Sequence, residues 1–119
     1  MRVVIAGSRS ITKMAIVEKA IKDSGFKIES VISGCARGVD QLAIQWAEQN
    51  GIRVYRFPAQ WDTWGKSAGY RRNTRMAEVC DAVIAIWDGK SRGTAHMIEE
   101  AKRLGKKVFV VIPKDITWI

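Results

Sequence analysis

Three apolar runs in this sequence end in turns that pair glycine with an arginine or a hydroxyl. They are Gly7-Ser8-Arg9, Gly34-Cys35-Ala36-Arg37-Gly38 and Gly89-Lys90-Ser91-Arg92-Gly93-Thr94. Glycine lets a backbone approach a ligand closely, and the first amides of a helix are unpaired donors that suit an anion. One such turn is ordinary at the end of a strand. Three of them, each followed by a helical pattern, point to phosphate or nucleotide binding. Gly69-Tyr70-Arg71-Arg72-Asn73 opens a further helix. Arg72 there suits a phosphate contact, because its planar fork donates hydrogen bonds in pairs. Arg71 and Arg75 read as solvated or outer groups.

Other residues have two readings each. Asp40 lies in a helix's first turn, where a carboxylate complements the dipole; its functional version is a hydrogen bond to ribose hydroxyls. His96 reads as a first-turn residue, or as a neutral hydrogen-bonding partner of a ligand. Trp61 and Trp64 suit stacking on a base, or packing of their loop onto the domain or a second subunit. Trp46 falls on an apolar stripe and reads as core, and Trp87 as core or pocket wall. Cys35 has no histidine–acid partner evident in sequence and reads as small-residue filler. No Gly-x-Gly-x-x-Gly follows the first strand. Gly65-Lys66-Ser67 imitates the end of a P-loop, but Gln60 stands where its first glycine belongs.

The elements that position these residues alternate along the chain. Strand patterns occupy residues 2–6, 28–33, 53–57, 82–87 and 107–112, and helical patterns run to about 24, from 38 to 49, 70–79 and 94–104. Ser10 or Thr12 is the expected cap of the first helix, and Gly25 its stop. Residues 59–69 show no periodicity and read as an irregular loop. Wholly apolar strands such as Val108-Phe109-Val110-Val111-Ile112 suit a sheet covered on both faces. Strand–helix alternation with right-handed crossovers predicts an α/β fold, a Rossmann-like three-layer domain with a mainly parallel five-stranded sheet. Its ligands sit at the carboxyl ends of the strands.

A length of 119 residues and 47% apolar content predict one domain over residues 1–119 with a true core. No segment is apolar enough to span a bilayer, and the start Met1-Arg2-Val3-Val4-Ile5 enters a strand pattern with no leader. Two cysteines, Cys35 and Cys80, make no disulfide framework, and with one histidine they make no zinc site. The expectation is a cytoplasmic protein without a metal or cofactor of its own. A net charge of +8 and a pI of about 9.9 favour anionic partners without naming one.

Taken together, Gly7-Ser8-Arg9, the segment from Ser33 to Asp40, Gly69-Tyr70-Arg71-Arg72-Asn73 and Ser91-Arg92-Gly93-Thr94-Ala95 resemble the SLOG superfamily. That group includes the Lonely Guy phosphoribohydrolases and the DNA-processing protein A family. The nearest resemblance is to its small single-domain, YspA-like branch of bacteria and phages. It covers nearly the whole chain and implies a nucleotide or nucleotide-derived ligand. By this resemblance Gly7, Ser8 and Arg9 line the ligand, and Gly34, Arg37, Gly38 and Asp40 form the second motif. Arg72 and Asn73 match an Arg-Asn pair, and Gly93 with Thr94 cradles the phosphate. Lonely Guy enzymes place a catalytic glutamate where this chain has His96, with Glu99 and Glu100 about one turn further on. The expectation is therefore a binding or sensing module for a phosphorylated nucleotide or an ADP-ribose-like ligand. A phosphoribohydrolase and a single-stranded DNA binder are the alternatives. Related proteins form dimers and larger assemblies, so a homo-oligomer is expected. Ile116-Thr117-Trp118-Ile119 suits such an interface, or closure of the core's edge.

Overall fold

In the computed structural model, which describes residues 1–113, every strand pairs in parallel with its neighbours, in the order β3-β2-β1-β4-β5. The strands are β1 (Arg2–Gly7), β2 (Ser30–Ser33), β3 (Arg53–Arg56), β4 (Ala82–Ile86) and β5 (Lys107–Val111). Side chains alternate between the faces of a strand, so each central strand feeds two cores. Val3 and Ile5 of β1 and Ile84 and Ile86 of β4 pack on α1 (Met14–Ser24) and α2 (Val39–Gln49), through Val17, Ala20, Ala43 and Ala47. Val4, Ala6, Val83 and Ala85 face the other way. They meet Met76 and Ala77 of α4 (Ala68–Val79) and Met97, Ile98 and Ala101 of α5 (Arg92–Arg103). The result is a Rossmann-like three-layer α/β arrangement, as the alternating patterns predict. Among the described residues no helix is long and apolar enough to cross a membrane.

Four local expectations change. The first helix starts at Met14, and neither Ser10 nor Thr12 caps it; Lys13 takes the cap position without a side-chain bond. The cause is Ile11, which is fully buried and draws the chain into the first core before the helix begins. The Gly7 turn therefore does not open directly into a helix. Residues 59–69 are not irregular: a short helix α3 (Trp61–Trp64) and a 3-10 turn (Gly65–Ser67) lead straight into α4. Nor is β5 covered on both faces, because it is an edge strand with Val110 38% exposed. Trp46 packs on the first core as expected, and Trp87 on the second, its indole Nε1–H bonding the Ser91 carbonyl at 3.0 Å. The Ile116-Thr117-Trp118-Ile119 segment lies outside the described residues.

The turns after β1 and β2 touch backbone to backbone. Val39 N–H donates to the Ser8 carbonyl at 3.4 Å. Gly38 has φ +77°, and a Cβ there would meet the Ser8 carbonyl oxygen at 2.5 Å and Arg9 Cα at 2.6 Å. Gly51 also has a positive φ, +66°, but nothing lies within 4 Å of its missing Cβ. Gly51→Ala should therefore cost only the left-handed backbone penalty, about 1 kcal/mol. Gly38→Ala should cost at least about 2 kcal/mol more, since it also pushes two turns apart. Urea unfolding of both variants measures the difference, and equal costs would refute tight docking of the turns.

Candidate functional site

Order β3-β2-β1-β4-β5 sends the chain outward in opposite directions from β1 and β4, so a crevice opens above their carboxyl ends. A cavity of about 450 Å³ lies there, lined by Gly7, Arg9, Asp40, Arg72 and Asn73 on one side. Asp88, Ser91, Arg92, Gly93 and Thr94 line the other. Of the sequence-predicted residues, Arg37 is not brought in; it is exposed on the outside of its turn.

Two turns of the crevice are locked by Ser8, which was expected to line the ligand, and by Asp88, to which the sequence assigned no role. Ser8 is buried, and its Oγ accepts the Asp88 amide at 2.9 Å and lies 3.1 Å from Ser91 Oγ. Asp88 Oδ1 accepts the amides of Lys90 and Ser91, each at 2.8 Å. Desolvation pushes the Asp88 carboxyl up, but these amides outweigh it and hold it below its ordinary value. An aspartate three residues before a serine, beside a glycine, is a turn signal that was available in the sequence. Ser8 thus serves the protein's own turn, while the α5 end of this edge stays open. The first amide of α5 to find a carbonyl is that of Ala95, on Ser91 at 3.1 Å. The amides of Arg92, Gly93 and Thr94 precede it and have no partner among the described residues, and no side chain caps the helix.

The glycines divide by what a Cβ would meet. At Gly7 it would strike the Ile86 carbonyl oxygen at 2.2 Å and Val39, and at Gly34 it would strike Arg72 Nη1 at 2.5 Å. Together with Gly38, these positions let the protein pack against itself. At Gly93 nothing lies within 4 Å. Gly89, in the same turn, is open as well but has φ +82°; of the two, Gly93 stands in the first turn of α5.

Arg72 occupies the space that Gly34 leaves. Its Nη1 donates to the Gly34 carbonyl and, at 3.4 Å, to that of Phe57; its Nε donates to Asn73 Oδ1 at 3.0 Å. Desolvation lowers its pKa, and the nearby Asp40 carboxylate opposes that shift. The fork expected to grip a phosphate in pairs is thus largely turned onto the protein, with Nη2 left over. Buried Asn73 is oriented by these partners, since Arg72 only donates and the Gly93 carbonyl, 3.1 Å from Asn73 Nδ2, only accepts. The remaining amide hydrogen points at His96 Nδ1, 3.3 Å away, which assigns that histidine the Nε2–H tautomer. His96 stacks beside Tyr70, with ring centroids 4.5 Å apart, and does not line the crevice.

The glutamates do not replace what His96 displaces. Glu100 accepts Thr74 Oγ1 at 2.6 Å and pairs with Arg103 at 2.8 Å, and Arg103 first and Thr74 second hold its carboxyl down at about 2. Glu99 is exposed. Cys35 has a left-handed backbone, φ 64°, and burial pushes its thiol up, away from nucleophile character. A side hollow of about 240 Å³ continues the crevice past Arg9, Arg72 and Gly93, with Trp61 in its wall. Trp64 faces away from it, under the Arg71 guanidinium at 4.0 Å.

Asp40 is 5% exposed, and its Oδ2 accepts the Ala36 amide at 3.1 Å. Burial raises its pKa to about 6, against the opposing pull of that amide and of Arg72. Between the unfolded value near 4 and about 6 the folded state holds the extra proton, so stability falls as pH rises through this window and is level above it. The full difference is on the order of 3 kcal/mol, for a shift of roughly two units. Asp40→Asn should remove that fall. Urea unfolding from pH 4 to 7 tests it, and an unchanged slope in the variant would refute the assignment.

Among curated proteins nothing matches the chain. Its structure is similar to that of DNA processing protein A (DprA) from Streptococcus pneumoniae, with a TM-score of 0.78 and 25% sequence identity. The similarity covers 98% of this chain and 52% of the other, so the chain spans about half the length of that protein. The pattern of the YspA, cpYpsA-related SLOG family matches residues 1–64, from β1 through α3, which is more than half of the chain. The chain belongs to the YspA, cpYpsA-related SLOG family.

Proposed function

We propose that this protein binds a phosphorylated nucleotide or a nucleotide-derived ligand in the β1–β4 crevice, with a phosphate on the start of α5. The observation that carries this reading is the set of three unpartnered amides at Arg92, Gly93 and Thr94, with open space above Gly93. A helix start with free amides favours an anion twice over, by hydrogen bonding and by the helix dipole. Arg9 and Arg92 are exposed at the same crevice and add positive charge. Trp61, in the wall of the adjoining hollow, is the stacking surface for a base in this reading. Asp40 serves in this reading as a buried support of the turns rather than a ribose contact.

Hydrolysis of a base–ribose bond finds less support. Such a reaction needs a carboxylate free to stabilise charge or activate water. Asp88 is held by two amides, Asp40 is buried on another, and Glu100 is paired elsewhere. Single-stranded DNA is a second reading, favoured by the likeness to DNA processing protein A and by the net charge of +8. Its mark is affinity that falls linearly on a log–log plot against salt.

Arg72→Ala is a poor probe, since it strips partners from Gly34, Phe57 and Asn73 together. Gly93→Ala is a better one. In the first turn of a helix with ordinary φ, alanine should hold or raise stability by about 0.5 kcal/mol. Its methyl should nonetheless fill the space over the amides and weaken binding at least about tenfold, a loss near 1.4 kcal/mol. A thermal-shift screen of nucleoside monophosphates, ADP-ribose and cyclic nucleotides on both proteins tests this. Saturable shifts in the parent that vanish in a stable Gly93→Ala protein are the expected result. Equal shifts in both would refute the placement.

A further inference from the structure

Behind Arg72, on the side away from the crevice, lies a hollow of about 600 Å³. Arg56 at the end of β3 and Arg71, Arg72 and Arg75 of α4 line it, and no carboxylate does. Arg71 and Arg75 stand four residues apart, so they share a helix face where like charges repel. Such an arrangement is held against its own electrostatics, which an anion in the hollow would relieve.

Few of these charges are neutralised by the protein. Arg56 meets Glu48 at 3.1 Å, with both side chains more than half exposed, which is a weak pairing. Arg71 donates to Ser67 Oγ at 3.0 Å and lies over the Trp64 ring, which fixes its direction without cancelling its charge. Arg75 makes no hydrogen bond or ion pair among the described residues, and Arg72 Nη2 makes none either. Phe57 and Trp64 supply flat apolar wall in the same hollow.

We infer that this hollow is a second binding site, for a phosphate ester that carries a flat apolar group: a nucleotide, either free or within a short strand. Guanidinium groups match phosphate oxygens in geometry as well as charge, and the volume falls in the range of small-molecule sites. Only Arg72 is common to this hollow and the crevice. The inference goes beyond the crevice reading and does not depend on it.

Nitrogen–proton NMR of the full chain separates the two sites, with the Trp64 indole reporting this hollow and the Gly93 amide reporting the crevice. Titration with AMP should move the Trp64 indole signal saturably. In the Arg56→Gln/Arg75→Gln protein, changed only at exposed positions and checked for an unaltered melting temperature, affinity at Trp64 should fall at least tenfold. In Gly93→Ala it should stay as in the parent. If only a 5′-phosphorylated tetrathymidylate moves the signal, the inference holds with a strand as the source. A Trp64 signal unmoved by either probe overturns it, as does a response lost in Gly93→Ala but kept in the double variant. An equal response to tetra-aspartate also overturns it, reassigning the hollow to acidic peptides. Movement at Trp64 with none at Gly93 would sink the crevice reading alone.

Discussion

A cation set into the protein interior must find its partners there, and around Arg72 much of this structure is arranged to supply them. Its guanidinium takes a carbonyl from the turn after β2, another from the end of β3, and the side-chain oxygen of Asn73. Leaving such a group unpaired would be costly, so each of these bonds constrains the element that provides it. Gly34 has no side chain because Arg72 stands where one would be. Asp40 lies close enough to favour the charged guanidinium while burial raises its own pKa. The chain of constraint runs on through Asn73 to the Gly93 carbonyl and His96, and so reaches the start of α5.

This arrangement divides the polar groups of the sheet's carboxyl edge into two kinds. Ser8, Asp88, Ser91, Asn73 and most of Arg72 are satisfied by the protein. They make the three turns into one rigid block. The unsatisfied groups include three amides at α5, and exposed arginines on either side of the Arg72 partition. Preorganised donors of this sort hold an anion without having to be ordered at the moment of binding. The same logic explains why two hollows of different character share one wall. On one side helix amides dominate; on the other, arginine side chains with aromatic neighbours do.

Much of the architecture was legible from the residues alone. Alternation of apolar strands with helical stripes specified the three layers, since a strand buried on both faces shows in its composition. Gly25 ended the first helix as read, and the motif glycines gather at the carboxyl edge of the sheet. Element boundaries were less legible where a single residue's burial decided them. Ile11 looks like any isoleucine in a loop, yet its insertion into the core delays α1 until Met14. The apolar run of β5 reads as interior, but sheet order leaves that strand at an edge. Nothing local encodes sheet order.

By itself, then, the sequence determined the fold class, the sheet edge that carries the glycine turns and the excess of positive charge, because these follow from periodicity, turn chemistry and composition. Which glycines serve packing and which leave space, and which arginines are bound and which are free, only the tertiary structure decided. Those properties belong to pairs of residues far apart in the chain. Gly34 meets Arg72 and Ser8 meets Asp88 only after the sheet has formed. A residue type states what bonds a side chain can make; the folded contacts state which of them are already made.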